Sequence, residues 1–190
     1  MNKKDLINFI NENNISLGDK AHTEVKYINS TKEYGRVATK DIAKDEIIYR
    51  IGGMWIDWNI RKEYLELDYF QLVDGMYYFQ GGLNPGLFSA VNHSCDPNAY
   101  YEDTIVVRAF KHIPKDTEIT IDYGALVDHN YIIFEECACE SKHCRKQITG
   151  KDWLVHSLPI KYDYKISQKI IRLWLEAKRP LKRKNDSDKS

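Results

Sequence analysis

No apolar run in this sequence is long enough to cross a bilayer. The opening residues, Met1-Asn2-Lys3-Lys4-Asp5, are not followed by the long apolar stretch of a secretion signal. The expectation is a chain with no membrane span and no signal peptide, at work in the cytoplasm or the nucleus. Neither sign of charge is in excess: 28 Lys and Arg balance 28 Asp and Glu. That balance argues against a surface built to coat nucleic acid or a membrane. Cysteine is scarce, with four in 190 residues. In a reducing compartment so few thiols, three of them crowded together, suggest metal or chemistry before disulfides.

The chain is long enough for one domain with a sizeable core. Tyrosine is plentiful, at 13; its amphipathic ring suits strands and substrate-facing channels. A short helix is expected within residues 1–20, capped by Asn2, with Leu6, Ile7 and Ile10 on one edge. Glu24–Ile28, Arg36–Thr39 and Glu46–Ile51 read as strands. Asp57–Leu67 has helical spacing, and Met76–Phe79 reads as a strand followed by a Gly81–Gly86 loop. Ala99–Phe110 reads as a hairpin and residues 118–123 as a strand. From Asp128 to the thiols the chain reads as looser, and Gly150–Pro159 as a linker anchored by Trp153. Ile166, Ile170, Ile171, Leu173, Trp174 and Leu175 form a broad helical face that Pro180 ends. One unit occurs twice. Asp41–Ile47 and His112–Ile119 both read as x-I-x-K-D, a polar turn that restarts a strand.

Three stretches carry the chemistry. Asn92-His93-Ser94-Cys95-Asp96-Pro97-Asn98 joins an amide, an imidazole and a thiol to a turn that Pro97 stiffens. Glu118-Ile119-Thr120-Ile121-Asp122-Tyr123-Gly124 ends a strand-like run on a tyrosine. Cys137, Cys139 and Cys144 give three soft metal ligands within eight residues. Structural zinc takes four ligands in a tetrahedron. The other cysteine in the sequence is Cys95, so an all-cysteine site requires the thiol cluster to fold back onto the Asn92–Asn98 bend. His143 is an alternative ligand.

In this order and spacing, N-H-S-C-x-P-N, E-I-T-x-D-Y-G and C-x-C-x4-C resemble the SET-domain family of protein-lysine methyltransferases with a post-SET zinc segment. The resemblance runs from about Glu33 to Cys144. It implies a mainly β fold with small helices, the SET-domain (β-clip) fold, with a zinc-bound post-SET segment and a C-terminal helix. It implies a flank at 1–22, the SET domain at 23–130, the post-SET zinc segment at 131–150, a C-terminal linker and helix at 151–179 and a disordered tail at 180–190. The cosubstrate would be S-adenosyl-L-methionine (SAM), and the metal Zn2+, held by Cys95, Cys137, Cys139 and Cys144.

By the same resemblance Asn92 and His93 bind SAM, with main chain from Glu33, Tyr34, Gly35 and Arg36 and with Tyr123 beside the methyl group. The family has G-x-G where this chain has Glu33-Tyr34-Gly35. Methyl transfer needs a neutral amine, yet free lysine has a pKa of about 10.4. An apolar, tyrosine-lined channel disfavours the ammonium and aligns the nitrogen. Tyr123 is the candidate to orient that amine, without acting as a strong base. Many relatives carry Phe or Tyr two residues before it, where this chain has Ile121. In relatives with an aliphatic residue there, the eighth residue after the motif histidine supplies a hydroxyl; here that residue is Tyr101. Tyr101 is therefore the candidate to narrow the channel and favour mono- or dimethylation. Tyr49 is a further candidate lining residue.

The partner implied is a protein with an accessible lysine, histone or not. Nucleic acid would be touched only weakly, through the basic start of the tail. Two rivals differ in class. A catalytically inactive SET-like peptide-binding module would bind little SAM. A zinc-stabilised nucleic-acid-binding protein would want a basic stripe, which the balanced charge argues against.

Overall fold

Strands outnumber helices in the computed structural model, which describes residues 18–19, 22–28, 33–51, 53–56, 70–73, 76–80, 90–102, 106–128 and 130–179. In chain order the strands are β1 (Gly18–Asp19), β2 (Thr23–Ile28), β3 (Glu33–Ala38), β4 (Ile47–Ile51), β5 (Gly53–Ile56), β6 (Phe70–Val73) and β7 (Met76–Gln80). They continue with β8 (Asn92–His93), β9 (Ala99–Tyr101), β10 (Val106–Ala109), β11 (Glu118–Ile121), β12 (Ile132–Phe134) and β13 (Ile148–Thr149). Among the described residues the α-helices are α1 (Asp152–Val155), α2 (Leu158–Lys161) and α3 (Gln168–Lys178). Two four-stranded sheets, ordered β1-β4-β10-β9 and β2-β3-β11-β8, hold the centre, with a three-stranded sheet β5-β7-β6 and a β12-β13 pair. The expected mainly β fold with small helices is what forms.

The doubled x-I-x-K-D unit explains how the two large sheets meet. Ile42 and Ile113 exchange both backbone hydrogen bonds, at 2.9 Å each way. Around them the bonding repeats position for position. Asp45 N–H donates to the Ala109 carbonyl at 2.9 Å and Ala109 N–H to that of Glu46 at 3.0 Å. Asp116 N–H donates to Ala38 at 2.8 Å and Ala38 N–H to Thr117 at 3.0 Å. Asp45 and Asp116 take the left-handed conformation at φ 65° and 63°, which a short polar side chain tolerates. Each copy thereby crosses to pair with the other: β3 with β11, and β10 with β4. Ile42, Ile48, Val107, Ile113 and Ile119 are fully buried at this crossing, each stabilising the fold by about 2 kcal/mol through lost water contact.

Three expectations need correction. The strand expected over 118–123 stops at Ile121, and Tyr123–Ala125 turn into a 3-10 helix that Asp122 caps. The stretch after Asp128 is not wholly loose: Ile132–Phe134 pair with Ile148–Thr149. A three-residue strand has too little periodicity to be seen alone. Gly150–Pro159 is not a linker but holds α1 and the start of α2. Trp153, Leu158, Ile166, Ile170 and Trp174 form a second core there, with Ala125. The expected C-terminal face is α3, with Ile170 and Trp174 buried. The helices expected within 1–20 and at Asp57–Leu67, the Gly81–Gly86 loop and the tail lie outside the described residues. No helix among the described residues is long and apolar enough to cross a membrane.

Candidate active site and metal centre

The site forms where β8 lies parallel to β11, with Asn92 opposite Thr120 and His93 opposite Ile121. Two residues suffice because the chain then bends. Ser94 N–H still bonds the Ile121 carbonyl at 2.9 Å. Asn98 ties the far side of the bend to the same strand, donating to the Glu118 carbonyl at 2.7 Å and accepting from Thr120 N–H at 2.9 Å.

Asn92 spends its Nδ2 on the Glu118 carboxylate at 2.7 Å and on the Tyr34 carbonyl at 3.3 Å. Among the described residues its Oδ1 is left as an acceptor. Gly35 lies beneath: a Cβ there would run into Glu118 Oε1 and come within 2.7 Å of Ile28. The missing side chain thus admits Glu118, a residue the sequence reading overlooked. Glu33 and Tyr34 are exposed at the rim of β3. Arg36 turns inward instead, donating to Thr23 Oγ1 at 2.7 Å and lying 4.8 Å from the Tyr49 ring centroid.

His93 uses both ring nitrogens. Tyr123 N–H donates to Nδ1 at 3.1 Å, and Nε2 lies 3.3 Å from Cys95 Sγ. With Nδ1 accepting, the neutral ring carries its proton on Nε2 and donates to the sulfur. Burial, opposed by Asp122, lowers the His93 pKa to about 4, so the ring is neutral at physiological pH. Phe134, from β12, covers it: ring centroids lie 5.8 Å from His93 and 5.6 Å from Tyr123.

The Tyr123 hydroxyl donates to the Val91 carbonyl at 2.9 Å. Burial first, then the nearby Tyr101, Glu33 and Glu118, push its pKa up to about 12, so it is a neutral phenol. Burial raises Tyr49 and Tyr101 as well. Their hydroxyls approach each other loosely, and Tyr49 Oη is buried without a well-formed hydrogen bond. Three phenols from β4, β9 and the turn after β11 therefore share one region.

The metal-binding type of cluster is equally local. Ligand atoms of His93, Cys95, Cys137 and Cys139 all lie within 4.8 Å of one another, and none of the four cysteines is in a disulfide. The thiols of Cys137 and Cys139 also interact with that of Cys144, whose sulfur lies 3.5 Å from the Cys137 carbonyl. Backbone N–H groups point at the sulfurs: Cys95 at Cys139, Arg145 at Cys95 and Lys146 at Cys144, each at 3.4 Å. Burial opposes ionisation of Cys139, but the N–H groups of Cys95 and Ser141 outweigh it and bring its pKa to about 7. Burial pushes the Cys95 and Cys137 thiols up instead; the gathered soft sulfur donors fit a zinc ion. His143 is exposed and stands outside the group.

Behind Tyr123 lies a buried ionic knot that the sequence reading did not foresee. Arg145 grips Asp122 with both terminal nitrogens, at 2.7 and 2.6 Å, and reaches Asp152 with Nε at 2.7 Å.

The family model described as SET domain matches residues 33–124. Residues 33–124 of this chain are a SET domain. A histone-lysine N-methyltransferase, H3 lysine-36 specific, of Debaryomyces hansenii is 29% identical over 84% of this chain and 24% of its own length. Its namesake in Yarrowia lipolytica is 30% identical over 70% of this chain and 19% of its own length. The methyltransferase domain of human histone-lysine N-methyltransferase SETMAR superposes with a TM-score of 0.47 at 19% identity, covering 67% of this chain and 57% of that one. The SET-domain match starts with β3 and ends just after Tyr123, so it takes in the β8–β11 edge but not the thiol cluster or the C-terminal helices. This chain spans about a quarter or less of the length of these curated fungal relatives.

Proposed function

We propose that this chain is a SAM-dependent protein-lysine N-methyltransferase. The observation that carries the reading is the convergence of Tyr49, Tyr101 and Tyr123 beside the Asn92–His93 edge. A lysine needs that environment and a cosubstrate needs that edge. SAM supplies a methyl group on a sulfonium centre. Asn92, whose amide nitrogen is already engaged, offers its carbonyl oxygen to the cationic amino-acid tail. Main chain of Glu33–Arg36 lines the same edge.

The tyrosines serve the amine. Their burial disfavours an ammonium and so promotes the neutral nucleophile. Tyr123 acts by position: with a pKa near 12 it is a hydrogen-bonding phenol and not a base. Tyr101, packed against Tyr49, narrows the channel, and we assign to it a preference for mono- or dimethylation. Zinc belongs to Cys95, Cys137, Cys139 and Cys144. His93 is better suited to donating to Cys95 than to ligating, because its one lone pair is spent on Tyr123 N–H. Metal binding there supplies folding energy and holds Phe134 over the site.

The relatives' names make histone H3 the first substrate to try, and the nucleus the compartment. The test is incubation of the zinc-loaded chain with methyl-labelled SAM, histone H3 and a mixed protein extract. Label transferred by the wild type and lost in Tyr123→Phe supports the enzyme. Failure to bind SAM at all would leave a peptide-binding module in its place.

A further inference from the structure

Asp122 is buried, and four hydrogen bonds converge on its carboxylate: two from Arg145, one from Gly124 N–H at 3.0 Å and one from the Tyr162 hydroxyl at 2.6 Å. Tyr162 comes from the end of α2, beyond the segment that the SET-domain model matches. We propose that the C-terminal helical block is a working part of the reaction site, with Tyr162 as a positioning residue for Tyr123. This rests on the methyltransferase reading above.

The charge count explains why the hydroxyl matters. The knot holds two buried carboxylates, Asp122 and Asp152, against one guanidinium. Burying an excess negative charge is costly unless further donors reach it. Thr149 supplies Asp152 with its N–H and its hydroxyl, at 3.1 and 2.7 Å. Tyr162 does the same for Asp122. Without it one carboxylate oxygen keeps a single donor, and the 3-10 turn that Asp122 caps is free to shift.

Tyr123 lies between parts that the block holds on both sides. Before it, Asp122 is held by Tyr162. After it, Gly124 touches Asp152 so closely that a Cβ would lie 2.7 Å from that side chain, and Ala125 is packed into the core of the helices. Lys161, next to Tyr162, donates to the Cys95 carbonyl at 2.9 Å, so the same helix end also reaches the bend. The Tyr162 ring packs 5.3 Å from Phe110, which lets a phenylalanine take its place without a cavity. The block thus fixes the backbone whose N–H meets His93 and whose hydroxyl meets Val91.

The experiment compares Tyr162→Phe with the wild type in the full chain, zinc-loaded, using methyl-labelled SAM with histone H3 and a mixed protein extract. We expect kcat to fall about tenfold, as small misplacements do, with KM for SAM unchanged. Amide exchange at Tyr123 should quicken about tenfold while that of Ile48, in the main core, stays slow. Unchanged kcat overturns the proposal. So does a lower kcat without faster exchange at Tyr123, since the effect would then bypass Asp122. A fall in kcat that matches the loss of folded protein seen in a thermal melt, with exchange quickened at Ile48 as well, would reflect fewer active molecules and also count against it. If Tyr162→Phe gives no cooperative melt, Arg145→Lys, which gives up the paired grip on Asp122, is read by the same criteria. A wild type that transfers no label defeats the methyltransferase reading itself, and the proposal with it.

Discussion

The two x-I-x-K-D units make the same turn, yet only the second leads into the strand that pairs with Asn92 and His93. Both have an aspartate at positive φ and both bury their isoleucine against the other copy. Their strands meet different neighbours. Beyond the first turn, β4 is flanked on its outer edge by β1, an antiparallel strand. Beyond the second, β11 is flanked by the two parallel residues of β8. Both neighbours are two residues long, so length does not separate them. What differs is what the second neighbour carries: an amide and an imidazole, with a thiol at the bend that follows. Chemistry resides at the copy whose short neighbour brings those groups.

The largest effect should come from breaking what the copies share. Ile42→Ala and Ile113→Ala each remove a fully buried branched side chain from the crossing, at about 2–5 kcal/mol. Urea unfolding should give similar losses for the two. A loss below 1 kcal/mol for one of them would mean that the copies do not support each other equally.

Next comes the feature that only the second copy has. Tyr123→Phe should lower methyl transfer about a hundredfold while the melting temperature moves little. Because its pKa lies near 12, the wild-type rate should climb with pH toward the substrate amine's value of about 10.4. No separate loss of rate from Tyr123 ionising should appear below pH 10. A half-active Tyr123→Phe would erase the functional difference between the copies.

A smaller contrast concerns Tyr49, on the strand after the first turn. Its hydroxyl is buried without a well-formed hydrogen bond. Tyr49→Phe should therefore be neutral or stabilising by up to about 1 kcal/mol, and should reduce activity less than Tyr123→Phe does. A clear destabilisation in thermal melts would show that the hydroxyl is better satisfied than its geometry suggests.

The smallest effect separates the two turn aspartates. Lys165, 2.5 Å from Asp45, holds that carboxyl below its ordinary value of 3.8. A depressed folded pKa adds stability above 3.8 that is lost as pH falls through the folded value. Asp45→Asn should thus be slightly less stable than the wild type at neutral pH, and the gap should close in acid. Asp116, 3.7 Å from Lys26 and more exposed, should show a smaller deficit for Asp116→Asn. Equal behaviour of the two at pH 7 would show that the Lys165 contact adds nothing.

The legible parts of the fold were those written in neighbouring residues. Glu24–Ile28 alternates, the x-I-x-K-D turns repeat, and Ile170 and Trp174 share a helical face; each element formed. β12 and β13 were missed because three and two residues carry no period. The site was legible to the same degree. Asn92, His93, Cys95 and Tyr123 lie in dense motifs, and they lie together. Glu118 was quoted as part of a strand and passed over as a site residue, although Gly35 and Asn92 both depend on it. A charged residue opening an otherwise apolar strand was the available signal. Tyr162 gave none, since it stands among Lys161, Asp163 and Tyr164 with no motif around it.

The sequence by itself determined the turn units, the stiff bend at Pro97, the spacing of the thiols and the match to a SET domain over residues 33–124. All are set by residue type and short spacing: local backbone preference, ligand chemistry and apolar period act over a few residues. Tertiary structure alone decided that Asn92 engages its Nδ2 and leaves its Oδ1, that His93 donates to Cys95, and that Asp122 is shared by Arg145 and Tyr162. Those outcomes depend on burial and on partners distant in the chain. Desolvation makes each buried polar group find a partner, and which partner it finds is fixed only when the sheets and the C-terminal helices have packed.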